Sequence, residues 1–155
     1  MGSNYSETDY TYYAGYNRII VDKSPVYNCT NKKDSFSGNN KEAKLTYPVA
    51  IMTADEVAFA GGLDGTNANV YYALNSKGNA ITGEKSWWLL TPKFFDAAYK
   101  ESAVFVVYSG SENGRLDQLG VTFYASLRPV INLKGDALYS SGDGSSENPY
   151  VMVYN

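Results

Sequence analysis

Covalent catalysis needs a nucleophile beside an activating base, and this chain holds little to build one from. It has no histidine and one cysteine, Cys29, in 155 residues. The first absence removes the commonest general acid/base and the commonest zinc ligand together. A serine or Cys29 would have to pair with Lys, Asp or Glu, and no nucleophile-elbow or Ser-x-x-Lys context occurs. Paired carboxylates for glycoside hydrolysis reduce to Asp55 with Glu56 and Asp143 with Glu147. The first two have a sufficient task at a helix start, and the others lie in a turn. Calcium wants six to eight converging oxygens; the Asp143 to Asn148 stretch could hold a cation but reads better as a hairpin turn. Gly61-Gly62 follows a helix instead of preceding one, so it makes no phosphate nest. The expectation is a non-enzyme without cofactor or metal.

Recognition chemistry is better supplied. Fifteen residues are tyrosine, against six phenylalanines and two tryptophans. Tyrosine offers large, stiff, amphipathic contact area at low entropic cost, and it also suits half-buried strands. Thirteen basic and sixteen acidic residues give a net charge of −3. The only dense basic run, Lys32-Lys33, is followed by Asp34, so nucleic acid is not an expected partner. No stretch is long and apolar enough to span a membrane. Met1-Gly2-Ser3 reads as an expression scar, with any targeting or anchor segment removed. Cys29 is either buried and inert or paired outside this sequence. Asn28-Cys29-Thr30 is formally a glycosylation sequon.

The elements that must position such residues follow from local signals. Residues 1–17 are a flexible lead or an edge strand, and residues 18–155 form a single domain. Arg18 to Val21 reads as a short strand and residues 28–44 as loop. Thr46 to Met52 is extended. Thr53 and Glu56 form a capping box, Asp55 and Glu56 complement the helix dipole, and Gly61-Gly62 ends the helix, so residues 53–61 form the one well-defined helix. Residues 63–86 are mostly loop, interrupted by apolar Val70 to Leu74. Ser86 to Pro92 is a buried strand stopped by its proline. Ala103 to Tyr108, a Ser109 to Gly114 turn and Arg115 to Val121 make a hairpin. Leu127 to Leu133 and Pro149 to Tyr154 are strands. The fold class is α+β, with short twisted antiparallel strands.

Four segments carry a resemblance. They are Leu45 to Val49 running into Thr53 to Val57 and Ala60-Gly61-Gly62; Trp87-Trp88-Leu89-Leu90-Thr91-Pro92; Leu127-Arg128-Pro129-Val130-Ile131-Asn132-Leu133; and Gly142-Asp143-Gly144 leading to Asn148 to Val151. In this order, over about residues 26–153, they resemble domains of bacterial (Firmicutes-type) surface and pilin-like proteins related to the C-type-lectin-like fold. That fold also carries the variable proteins of diversity-generating retroelements. There, a Trp-rich segment and an Arg-Pro-Val-Ile-Asn-Leu strand bracket a sequence-diverse stretch. The formylglycine-generating oxidases of this fold use a cysteine pair, which this chain lacks. The Glu-Pro-Asn and Trp-Asn-Asp signatures of calcium-dependent sugar binding are absent too; Glu147-Asn148-Pro149 has the first set in another order.

The resemblance implies a frame of Trp87, Trp88, the Val104 to Val107 strand and Val130 to Leu133, displaying a variable face at residues 93–126. On that face it places Lys93, Phe94, Phe95, Asp96, Tyr99 and Lys100, then Asp117 and Gln118, then Thr122, Phe123 and Tyr124. These mix aromatic, charged and amide side chains without a catalytic logic, as a paratope does. Phe94, Phe95 and Phe123 are equally compatible with a core. The implied function is a secreted or cell-surface display domain recognising a protein or glycan ligand on another cell, a host or a phage. The alternatives are a structural pilin-like or adhesive filament subunit, and a calcium-independent carbohydrate-binding module with Tyr and Trp as stacking platforms.

Overall fold

A computed structural model describes residues 9–27, 46–47, 49–62, 64–65, 86–108, 114–131, 133, 135–145 and 147–153. Cys29, the sequon and the apolar Val70 to Leu74 run lie outside the described residues. The described chain is α+β, with few helices and mostly antiparallel strands. The strands are β1 (Tyr10–Tyr12), β2 (Ala50–Ile51), β3 (Trp87–Asp96), β4 (Glu101–Val107), β5 (Leu116–Gly120), β6 (Pro129–Val130), β7 (Tyr139–Ser141) and β8 (Val151–Met152). β1, β3, β4 and β5 form a four-stranded sheet in that order; β2–β6 and β7–β8 are two-stranded. The helices are α1 (Ala14–Tyr16), a π-helical turn Asn17–Val21 that continues it, and α2 (Ala54–Phe59).

β3 and β4 are the frame. Alternate residues of β3 (Trp87, Leu89, Thr91, Lys93) are buried, the period expected of a strand with one face on a core. Trp87, Leu89, Phe105, Val107 and Leu116 meet Ile19, Ala54 and Val57 from the helices, so the helical layer covers one sheet face. β4 pairs with β5 in unbroken register from Ala103↔Gly120 to Val107↔Leu116, as the hairpin expected over residues 103–121 requires. Residues 109–113 at its tip lie outside the described residues.

Helix α2 starts where the sequence places it. The Thr53 hydroxyl accepts from the Glu56 N–H, and the Glu56 carboxylate accepts from the Thr53 N–H at 2.7 Å. A second tie fixes α2 to the sheet: the Ala54 N–H donates to Thr91 Oγ1 at 2.9 Å inside the core. On the other side of Thr91, α1 comes close enough that a Cβ on Gly15 would overlap Thr91 Cγ2 and lie 3.0 Å from the Pro92 carbonyl oxygen. Gly15 is therefore what lets α1 seat on β3.

Several sequence expectations are corrected. β3 does not stop at Pro92; it runs on to Asp96, with register shifts on both sides of the proline. Those irregularities absorb the missing N–H donor, and β1 takes up the pairing only from Phe94 onward. Residues 18–21 are helical, not a strand: the Asp22 N–H closes back on Asn17 O, Ile19 enters the core, and Arg18 reaches Asp55. Tertiary contacts outweigh the β-preference of Ile-Ile-Val. Of the two readings of residues 1–17, the edge strand describes Tyr10–Tyr12, and the packed fold reaches back across the boundary drawn at residue 17. Among its described residues, the apolar Leu127 to Leu133 run contributes only Pro129–Val130 to a strand, and Leu127, Ile131 and Leu133 are exposed, so those three are not part of an inner frame. Of the tryptophan pair, Trp87 is the buried one at 2 % exposure and Trp88 is half-buried.

Candidate functional site

Two turns meet at one end of the four-stranded sheet. The first, residues 97–100, joins β3 to β4. The second, residues 121–124, leaves β5 beside the start of β4. The Val121 N–H donates to Ser102 O at 2.9 Å, which sets the second turn against the first. The Phe123 N–H closes the second turn on Gly120 O at 3.0 Å.

Each turn is held by a carboxylate. Asp96 is buried, and its Oδ1 accepts from the Ala98 and Tyr99 N–H groups at 2.9 and 3.2 Å. This is an Asx turn, in which a side chain replaces a backbone acceptor. Lys100 completes it with φ +52°, the left-handed conformation that is costly for any residue bearing a Cβ. Glu101, the next residue, accepts a hydrogen bond from the Thr122 hydroxyl on the second turn. Between these anchors the apolar rings point outward: Tyr99 and Phe123 are each 59 % exposed and Tyr124 is fully exposed.

The eleven residues expected on a binding face therefore divide. Tyr99, Lys100, Thr122, Phe123 and Tyr124 converge on this sheet end, and all five are exposed. Phe94 and Phe95 are half-buried where β3 pairs with β1. Phe94 packs edge-on against Tyr10 at 4.9 Å, and Tyr12 stacks on Tyr16 at 3.9 Å, so Phe94 belongs to an aromatic cluster at the sheet edge. Asp96 is buried, with its Oδ1 committed to holding the turn.

Lys93 is a larger correction. Its side chain is buried, with Nζ 3.0 Å from Asp64 Oδ1, 2.6 Å from Gln118 Oε1 and 4.9 Å from the centre of the Phe105 ring. A desolvated ammonium needs such partners, and they make Lys93 a cross-strand tie, while Gln118, which holds its far end, is itself exposed. Asp117 is likewise engaged, with Oδ2 2.8 Å from Arg115 Nη2. Alternation along β3 could have flagged Lys93, since it shares the parity of Trp87, Leu89 and Thr91. The work of Glu101 and Gly120 left no signal in the sequence.

The Asp143 turn is closed by its own hydrogen bonds. Asp143 Oδ1 accepts from the Ser145 N–H at 2.9 Å, and Ser145 Oγ accepts from the Asn148 N–H at 3.0 Å. The bonds from Ser145, with a smaller contribution from Asn148, hold the Asp143 carboxyl below the ordinary aspartate range. A carboxyl depressed in the folded state adds stability above its unfolded pKa and loses it as pH falls through the lowered value. In an NMR titration, Asp143 is expected to titrate below a peptide aspartate, and Ser145→Ala to move it upward. An unmoved carboxyl in Ser145→Ala would refute this cause. Among the described residues no three Cys, His, Asp or Glu side chains gather as a metal site, and no helix is long and apolar enough to cross a membrane.

No protein family, curated protein or solved structure compared with this chain matches it.

Proposed function

We propose that this chain is a C-type-lectin-like recognition domain, secreted or displayed at a cell surface, that binds a protein or glycan through the sheet end bearing Tyr99, Lys100, Phe123 and Tyr124. One observation carries the reading: three large rings from two separate turns are exposed at the same place, while one carboxylate beside them holds the backbone of the first turn and another holds the Thr122 side chain of the second. Burying such rings would remove apolar area from water at roughly 25 cal/mol per Å², and aromatic side chains dominate the energetics of small interfaces. The rings are exposed and outside the hydrophobic core, so changes in their identity leave that core intact. That suits a face diversified by a retroelement. The domain is read as non-catalytic, with binding independent of calcium.

The test is a screen of immobilised glycans and purified surface proteins with chelator present, using wild type and the Tyr99→Ala/Phe123→Ala/Tyr124→Ala variant. Wild-type hits are expected to weaken at least about tenfold in the variant. Each single change should leave stability within roughly 0.5 kcal/mol, as for exposed sites. Hits that survive the triple change, or a variant that unfolds, would overturn the assignment.

A second reading, an assembling filament subunit, is favoured by the β7–β8 ribbon, where Leu138, Tyr139, Val151 and Val153 are exposed. An isolated two-stranded ribbon is marginal in water. Self-association that rises with concentration and ignores the triple variant would support it over the first reading.

A further inference from the structure

We propose that Gly120, Glu101 and Thr122 form a latch that couples the two turns and sets the orientation of the rings they carry. The proposal rests on the sheet end being the recognition face, and it changes the role of Thr122 from ligand contact to positioning residue.

The geometry is specific. Gly120 ends β5 opposite Ala103, two residues along β4 from Glu101. A Cβ built on Gly120 would have as its three nearest neighbours Oε1, Cδ and Oε2 of Glu101, with Cδ at 2.5 Å. The Glu101 carboxyl thus occupies the space that any other residue at 120 would fill. From there its Oε1 reaches the Thr122 hydroxyl across the gap between the turns. Lys100, immediately before Glu101, is in the left-handed conformation, and Val121, immediately before Thr122, is bonded to Ser102. One carboxylate therefore ties the end of the first turn to the start of the second. Preorganisation of this kind raises affinity by lowering the ordering cost paid on binding.

Gly120 also supplies a clean probe. It does not have a positive φ, so alanine meets no backbone penalty there. The atoms a methyl would strike belong to the end of a flexible side chain, which can swing away. Gly120→Ala is expected to open the latch without unfolding the sheet. Thr122→Val removes the donor while keeping the shape. Glu101→Gln keeps an acceptor oxygen at the same place.

The experiment is amide hydrogen exchange on the whole chain without ligand. In Gly120→Ala and Thr122→Val, exchange at Val121 and Phe123 and at Ala98 and Tyr99 should rise roughly 3–10-fold, the size of one lost hydrogen bond. Amides of β4 should stay as protected as in wild type, and Glu101→Gln should remain within about twofold of wild type. Unchanged exchange at either turn, or Glu101→Gln exchanging as fast as Gly120→Ala, would overturn the latch. Since no ligand enters, a failed screen of the triple variant leaves this result standing, and a failed latch leaves the recognition face standing.

Discussion

Trp87→Ala is expected to lower the unfolding free energy by about 3–5 kcal/mol, the cost of emptying a large aromatic site in a core that only partly collapses. The neighbouring Trp88→Ala should cost clearly less. Trp87 lies against Leu89, Phe105, Val107 and Leu116 in the sheet layer and Ile19, Ala54 and Val57 in the helical layer, so its ring bridges the two. The Arg128 guanidinium sits 4.3 Å from the centre of that ring, within cation–π reach. Adjacent residues of a strand face opposite ways, so only one tryptophan of the pair can enter this core. Trp88 pairs with Val106 and keeps one side in water. Chemical denaturation of both variants measures the difference, and equal losses would contradict the inward placement of Trp87.

Arg18→Ala is the second large effect. Arg18 Nε and Nη2 donate to Asp55 Oδ1 and Oδ2 at 3.1 and 3.0 Å, a bidentate pair joining the π-helical turn to α2. Asp55 also accepts from the Val26 N–H at 3.0 Å. The Asp55 side chain is 5 % exposed and that of Arg18 23 %. Removing the guanidinium strands a buried carboxylate, which costs about 3–5 kcal/mol for fully buried pairs. Access of water at Arg18 places the expected loss at about 3 kcal/mol. Replacing both partners, as in Arg18→Met/Asp55→Leu, should recover much of that loss because no charge is left unpaired. A single-variant loss below about 1 kcal/mol would make this an ordinary surface ion pair.

The second case shows how a residue acquires work that local reading cannot assign. From sequence, Asp55 has a complete role in the first turn of α2, where a carboxylate complements the helix dipole. Its larger role depends on Arg18, 37 positions away. Arg18 in turn is in reach only because residues 17–21 are helical where their composition favours a strand. Lys93 is similar. Its type marks it for a surface, and its neighbours Phe94 and Asp96 suggest a mixed, adaptable patch. Asp64 and Gln118 draw it inward from two other parts of the chain. In both cases a charge is buried because a partner from a distant segment offsets its desolvation.

The sheet end behaves in the opposite way. Tyr99, Lys100, Phe123 and Tyr124 are recognisable as recognition types, and they stay outside. What the sequence does not reveal is that they share one place. Residues 97–100 and 121–124 are neighbours because β4 and β5 run antiparallel in a fixed register, with Ala103 opposite Gly120. Register is a property of paired strands, and a shift of one residue reverses every side chain.

By itself the sequence determined whatever is encoded within a few residues: a helix capped by Thr53 and Glu56, the β4–β5 hairpin, the α+β class, and a side-chain inventory without histidine to build catalysis on. Tertiary structure alone decided which tryptophan faces the core, that β3 passes through Pro92, that Lys93 and Asp55 are buried with distant partners, and that two turns form one face. The physical reason is range. Capping bonds and turn preferences act between near neighbours in the chain, whereas burial, ion pairing and strand register are fixed by contacts between residues far apart in sequence, which become definite only when the layers close.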